Sequence, residues 1–247
     1  MRRFYTEPEN ISGNVATIFE DASHITKVLR MEPGEKILLF DGTGVEYVAV
    51  LTELDAKSCR AEIIERKISE QEPEIKITIF QGIPKSGKME AIIQKSVELG
   101  VTRIVPTAME RCVAKLDNGK KEAERIKRWN KVSLEAAKQC GRGLVPVVES
   151  SISFSDVLDR LDEFDLVIMP YEELGHAGEC TLRKTLAVND FKSIGVLIGP
   201  EGGFSEREAE RAASSGVKLV GLGKRILRTE TVAAAITSVI MYEKGEM

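Results

Sequence analysis

Residues Leu197–Ser205 read LIGPEGGFS, and residues Leu222–Thr231 read LGKRILRTET. In both, a short apolar run breaks at glycine and a helical pattern opens a few residues later. That is the join expected at a strand end of an α/β sheet, where glycine admits positive φ and close approach of backbone to a ligand. Open α/β sheets bind ligands in the crevice beyond the carboxyl ends of their strands. The N–H groups of these helix starts, with Arg228 beside them, suit an anionic group. Neither stretch contains G-x-G-x-x-G, which disfavours a dinucleotide site.

The same alternation surrounds these two stretches. Ile75–Gln81 reads as a strand, Lys88–Leu99 as a helix ended by Gly100, Arg103–Pro106 as a strand, and Lys120–Gln139 as a long basic helix ending at Gly141. Val145–Val148, Leu166–Met169 and Gly195–Ile198 are further apolar runs, followed by a helix over Ser205–Ser214. Ser205 with Glu208 three residues on predicts a capping box. A short strand at Lys218–Val220 and a helix over Glu230–Glu243 close the chain. Strands alternating with helices predict a mostly parallel sheet covered on both faces.

The first ~70 residues obey a different rhythm. Short extended runs at Arg3–Tyr5, Val15–Ile18, Lys36–Phe40, Glu46–Leu51 and Ser58–Glu65 are separated by turn residues, with one helical patch at Ala22–Leu29. This predicts a small β-barrel over residues 1–70, a linker around Ser69–Glu74, and an α/β domain over 74–247.

Composition narrows the class. The 247 residues are 43% hydrophobic and only 5% aromatic, which favours an architecture built on Val, Ile, Leu and Ala. No run approaches the roughly 20 apolar residues that span a bilayer, and the start lacks the apolar core of a secretory signal. The cysteines (Cys59, Cys112, Cys140, Cys180) are far apart and lack histidine at ligand spacing, so neither a disulfide framework nor a metal site is expected. A soluble cytoplasmic protein is the resulting expectation. The net charge of −4 hides an asymmetry: residues 1–72 hold 9 Lys+Arg against 14 Asp+Glu, while 85–142 hold 14 against 7. That basic excess is either a solvated helix face or a surface for a polyanion.

Gly82–Met89 reads GIPKSGKM, a near match to the phosphate loop of nucleotide hydrolases. In a true loop the last position is Ser or Thr on Mg²⁺; Met89 cannot ligate a metal. The lysine-rich segment is better read as a helix start or a nucleic-acid backbone contact. With His24 and His176 the only histidines, imidazole catalysis is disfavoured.

Taken together, GPEGGFS at Gly199–Ser205 and LGKRILRTET at Leu222–Thr231 resemble the RsmE family of SPOUT methyltransferases. The likeness extends over nearly the whole chain: MRRFY at the start, HITKVLR at His24–Arg30, KMEAIIQKSVELG at Lys88–Gly100, then Trp129 and EAAKQCGR at Glu135–Arg142. Val232 stands where the family usually has alanine after TET, and Ser86-Gly87 replaces a more common Gly-Asp pair. Neither change removes a functional group.

The resemblance implies a PUA-like β-barrel followed by a SPOUT α/β domain whose C-terminal part forms a trefoil knot. It implies methylation of N3 of a uridine in 16S (small-subunit) ribosomal RNA, with S-adenosylmethionine as methyl donor and no metal. The resemblance further implies that the substrate is the RNA or the assembled small ribosomal subunit, and that the protein is a homodimer with the cofactor pocket at the subunit interface. The Thr231–Met241 helix would suit burial against such a partner, or equally the core. A non-catalytic RNA-binding assembly protein is the main alternative, and a nucleotide hydrolase a third reading.

Three cofactor loops are implied. Met169 and Pro170 belong to the first; Ile198, Gly199, Gly202 and Gly203 to the second; Leu222, Gly223, Ile226, Leu227 and Arg228 to the third. Backbone groups of Ile198, Gly199, Leu222 and Leu227 would hold adenine and ribose. Uridine N3 carries a proton, so the site needs a base, a cation for the uracil anion, or both. Arg228 is the candidate cation and Glu201 or Glu230 the candidate base, with a purely dipole-satisfying role open for Glu230. Arg2, Arg3, His24, Lys27, Arg30, Arg111, Lys138 and Arg142 are the candidates for RNA phosphate contacts.

Overall fold

The structure is a computed structural model that describes every residue except Ser86, 114–118 and 175–180. His176, Cys180 and the Ser86 departure lie outside the described residues. The chain divides into two compact units: residues 1–72 with 134–145, and residues 73–133 with 146–247.

The first unit is a six-stranded sheet of β1 (Arg2–Tyr5), β2 (Ile11–Ser12), β3 (Val15–Ile18), β4 (Lys36–Phe40), β5 (Val45–Leu54) and β6 (Cys59–Ile68). Its order is β1-β4-β5-β6-β3-β2, with β1 and β4 parallel and the other pairs antiparallel. Alternation drives it: Ile37, Leu39, Ala49, Leu51, Ala61 and Ile18 turn inward onto one core. Thr6 Oγ1 donates to Thr17 O at 2.8 Å, joining the end of β1 to β3. The helical patch is one widened turn at His24–Val28, in which Leu29 N–H reaches back five residues to His24 O.

Residues 134–145 complete this unit, although the sequence pattern assigns them to the second domain. Lys138 Nζ bonds Asp21 at 2.9 Å, Arg142 bonds Glu72 at 2.8 Å, and Leu144 N–H donates to Glu72. Arg3 lies 3.7 Å over the Phe40 ring and bonds both Glu46 and the Arg142 carbonyl.

The second unit is a parallel sheet of β7 (Lys76–Gly82), β8 (Arg103–Ala108), β9 (Val147–Val148), β10 (Ile152–Ser153), β11 (Leu166–Pro170), β12 (Ser193–Ile198) and β13 (Lys218–Val220). The order is β10-β8-β7-β12-β11-β13, with β9 also on β8. Its helices are α1 (Lys88–Glu98), the part of α2 (Lys120–Cys140) up to Ser133, α3 (Phe154–Leu158), α4 (Leu182–Val188), α5 (Glu206–Ser214) and α6 (Thr229–Glu243). The central strands are buried on both faces, so they read as unbroken apolar runs rather than alternating ones. Phe80, Leu197, Met169 and Phe204 share one core with Ala209 and Ala212 of α5. On α1 and α6, Ile92, Ile93, Ile236 and Ile240 are fully buried. Helix α5 opens with the expected capping box: Ser205 Oγ accepts from Glu208 N–H and Glu208 accepts from Ser205 N–H. The sequence pattern misses β10, α3 and α4, which are too short to show a period.

Glu163, in the turn before β11, accepts from Arg160 and Arg103, both at 2.7 Å. The Arg160 bond, helped by Arg103 and opposed by partial burial, draws the carboxyl down to about 2. A depressed carboxyl stabilises the fold above its unfolded value of 4.5, and that contribution fades as pH falls toward 2. The side chain is 37% exposed, so screening reduces the effect to roughly 1 kcal/mol. Urea unfolding should therefore show Glu163→Gln less stable than wild type at pH 7 and equal to it near pH 2. A constant gap across that range would contradict the ion-pair assignment.

Candidate functional site

Strands β12, β11 and β13 are neighbours in the sheet, so their carboxyl ends deliver three loops to one place. These loops, with the first residues of α1 and α6, enclose a cavity of about 600 Å³, within the range of small-molecule sites. Ile198, Phe204, Leu222 and Leu227 supply apolar walls, Glu172, Glu173 and Glu201 supply carboxylates, and Lys88, Lys224, Arg225 and Arg228 supply cations.

The sequence explains how the loops close. Pro200–Gly203 forms a tight turn, with Gly203 N–H donating to Pro200 O at 2.9 Å. Gly203 has φ +66, a left-handed conformation that favours glycine. Gly82, first residue of the phosphate-loop look-alike, has a packing purpose. A Cβ there would lie 2.6 Å from Pro200 N and Cδ, so only glycine lets the end of β7 meet the β12 turn. The third loop is pinned by Thr229, whose hydroxyl donates to Gly199 O at 2.7 Å and accepts from buried Gln81 Nε2 at 2.9 Å.

Of the residues implied for the cofactor loops, Pro170, Ile198, Gly199, Gly203, Leu222, Gly223, Ile226, Leu227 and Arg228 line the cavity. Two are placed differently. The Met169 side chain is fully buried in the core, because β11 turns it away from the crevice that Pro170 faces. Gly202 packs on Arg111: its carbonyl accepts from Arg111 at 3.0 Å, and a Cβ would lie 3.1 Å from Arg111 Cβ. Sequence reasoning placed the first loop at Met169–Glu172 and missed Glu173, Phe204, Thr229 and Val232 as cavity residues. It also read Lys88 only as a helix start or backbone contact, because the carboxylates it meets, Glu201 and Glu230, lie more than a hundred residues away in sequence.

Around the candidate bases, Lys88 Nζ lies 3.2 Å from Glu201 and 3.6 Å from Glu230. Glu201 also accepts from Lys85 N–H at 3.1 Å. Burial pushes the Glu201 carboxyl up, but hydrogen bonds from its own N–H, Lys88 and Lys85 outweigh it and hold the group below the usual range. Glu230 reaches the cavity only through Lys88, and its buried Oε2 has no hydrogen-bond partner. Arg228 is exposed at the N-cap of α6 with extended backbone, φ −70 and ψ 151.

The candidate RNA contacts divide sharply. Arg2, His24, Lys27 and Arg30 are exposed, as is Arg111 despite its bond to Gly202. Arg3, Lys138 and Arg142 are instead taken up by ion pairs with Glu46, Asp21 and Glu72. Burial works against the Lys138 charge, yet Asp21 more than offsets it and raises the pKa. These three side chains fold the first unit; they are not presented to a ligand. No helix among the described residues is long and apolar enough to cross a membrane.

Comparison with known proteins covers both units. The family described as RNA methyltransferase domain matches residues 70–241, and the RNA methyltransferase PUA domain matches residues 20–64. The chain is 36% identical to the ribosomal RNA small subunit methyltransferase E of Bacillus subtilis (strain 168), over 98% of this chain and 97% of that one. The Aquifex aeolicus (strain VF5) protein of the same name is 30% identical over 98% and 99%. A crystal structure of the Neisseria gonorrhoeae protein of that name, bound to S-adenosylmethionine, superposes with a TM-score of 0.85 at 36% identity, covering 98% of this chain and 97% of that one. Matches that span both units, in sequence and in fold, leave one conclusion: the chain belongs to the ribosomal RNA small subunit methyltransferase E family.

Proposed function

We propose that the chain transfers the methyl group of S-adenosylmethionine to N3 of a uridine in 16S ribosomal RNA, acting as a cytoplasmic homodimer on the small ribosomal subunit. The observation that carries this reading is the cavity itself: three strand-end loops, apolar walls, backbone groups at the Pro200–Gly203 turn, and both carboxylates and cations at its edge. That set fits the cofactor, whose adenine needs apolar walls and whose amino-acid end carries both charges.

When bound, the cofactor supplies an electrophilic methyl carbon whose bond to sulfur breaks with the electron pair left on sulfur. The chain's own groups do the remaining work. The backbone of Ile198, Gly199, Leu222 and Leu227 orients adenine and ribose. Arg228 stabilises the uracil anion as N3 loses its proton, an electrostatic contribution that requires no motion at the moment of reaction. Glu201 or Glu230 takes that proton. Holding the two reactants in line contributes up to ~7–11 kcal/mol.

In the first unit, exposed Arg2, His24, Lys27 and Arg30 contact RNA phosphates, which fix position without reading sequence. The target uridine is unstacked into the cavity. Helix α6 buries Ala233, Ile236 and Ile240 but leaves Val239 and Tyr242 exposed, a face suited to the second copy. The threaded topology implied by the resemblance belongs to the same proposal.

Mass spectrometry of ribosomal RNA nucleosides from cells lacking the gene tests this directly. A single N3-methyluridine in 16S RNA should vanish and return with the gene; an unchanged nucleoside profile would refute the function.

A further inference from the structure

We infer that Gln81 and Thr229 are positioning residues of the cofactor site: they form a one-way hydrogen-bond relay that holds the second and third loops in the arrangement that takes S-adenosylmethionine. The inference rests on the proposed methyl transfer and adds to it two residues that act through the backbone of others.

Strand β7 carries Ile77, Ile79 and Phe80 fully buried, and beside them Gln81, an amide with no exposed surface either. Burying an amide is costly unless its hydrogen bonds are made. The nitrogen makes two: Nε2 donates to Gly82 O and to Thr229 Oγ1, both at 2.9 Å. The oxygen makes none among the described residues. A leucine would fill about the same space without that open acceptor, so what the amide contributes is direction. Gly82 O can only accept, which fixes the amide with its nitrogen toward Gly82 and Thr229. Thr229, 4% exposed, therefore receives a proton from Gln81 and turns its own toward Gly199 O, 2.7 Å away.

The relay ends at the cavity, which both Thr229 and Gly199 line. Thr229 is the first residue of α6 and follows Arg228; Gly199 opens the β12 turn. Pro200 has no N–H, so Gly199 O is the one polar backbone group at that peptide bond. The turn folds back onto this point: a Cβ on Gly199 would lie 3.1 Å from the Gly203 carbonyl carbon. Holding Gly199 thus holds the Pro200–Gly203 turn, and holding Thr229 sets the Leu222–Arg228 loop against it. The three residues come from separate elements, 148 and 30 positions apart, and no ionisable group takes part. The relay does not touch the reacting atoms. It acts on cofactor affinity, which scales with the fraction of chains whose loops stand in the competent arrangement.

The test compares Thr229→Val, which keeps the shape and removes the hydroxyl, with Thr229→Ser, which keeps the hydroxyl. Thr237→Val is the control: Thr237 is also buried on α6, but its hydroxyl donates back to Ala233 O of the same helix at 2.8 Å. Calorimetry should show Thr229→Val binding S-adenosylmethionine at least tenfold more weakly than wild type, with Thr229→Ser and Thr237→Val within twofold. Tenfold corresponds to about 1.4 kcal/mol, the scale of one buried hydrogen bond. In the cofactor-free protein, amide hydrogen exchange at Gly203, whose N–H closes the turn onto Pro200 O, should be at least tenfold faster in Thr229→Val and unchanged in the other two. Gln81→Leu leaves the Thr229 hydroxyl in place but lets it turn. It should bind the cofactor at least threefold more weakly, and it carries the test if Thr229→Val does not fold. Wild-type affinity in Thr229→Val or Gln81→Leu, a loss in Thr229→Ser or Thr237→Val as large as in Thr229→Val, or unchanged Gly203 exchange would each overturn the relay. A wild-type chain that binds no S-adenosylmethionine overturns the proposed function instead, and Gly203 exchange in the cofactor-free variants still decides the relay.

Discussion

Arg228→Ala should lower the methylation rate of assembled small subunits by more than tenfold, with the fold intact. The side chain is exposed at the N-cap of α6, so truncation removes no core packing. Its backbone is held independently, because Thr229 anchors the loop to Gly199 O and to Gln81. On the proposed mechanism, what is lost is the cation that faces the place where negative charge develops. One preorganised donor of that kind is worth ~2.7–4 kcal/mol, or about 10²–10³ in kcat. Lys224 and Arg225 line the same cavity and can recover part of the loss, which sets the expectation nearer its lower bound. Single-turnover rates at saturating cofactor measure the effect. Turnover close to wild type would remove Arg228 from the mechanism and shift the burden to its two cationic neighbours.

Which parts of this site can be read from sequence follows from the range of the forces involved. Local signals are legible. The capping box at Ser205 and Glu208 and the apolar spacing of α1 both depend on residues a few positions apart. The glycine-marked strand exits are legible too, because a positive φ or a close approach leaves a compositional trace. Side-chain direction within a doubly buried strand is not: Leu166–Met169 is apolar on both faces, so the pattern cannot tell that Met169 packs into the core while Pro170 faces the crevice. Charges are equally silent about their partners. Arg3, Lys138 and Arg142 look like surface cations until folding brings Glu46, Asp21 and Glu72 against them across 43, 117 and 70 residues. The same long-range pairing draws residues 134–145 into the first unit while the rest of α2 belongs to the second. Lys88 illustrates the converse case. Its local context is a broken phosphate motif, and its chemistry becomes visible only when Glu201 and Glu230 arrive from the far end of the chain.

Gly203→Val should abolish S-adenosylmethionine binding, weakening it by a hundredfold or more in calorimetry, while circular dichroism and the unfolding midpoint change little. Two effects combine. The residue sits at φ +66, where a β-branched side chain is a genuine outlier and the left-handed conformation costs roughly 1–2 kcal/mol. To relieve that strain the turn must reopen, and its closing bond from Gly203 N–H to Pro200 O would be lost. The second effect is spatial. A Cβ at this position already lies 3.6 Å from Glu172 Oε1, so valine's methyl groups must enter the cavity or displace the first loop. A hundredfold loss corresponds to about 2.8 kcal/mol, within reach of strain and obstruction together but not of strain alone. Gly203→Ala separates them: it carries the same backbone penalty, its Cβ makes only ordinary contact with Glu172, and it should keep measurable affinity. If valine binds the cofactor as well as alanine does, obstruction is excluded and the ligand lies away from the β12 turn. If both bind like wild type, the Pro200–Gly203 turn is not part of the pocket.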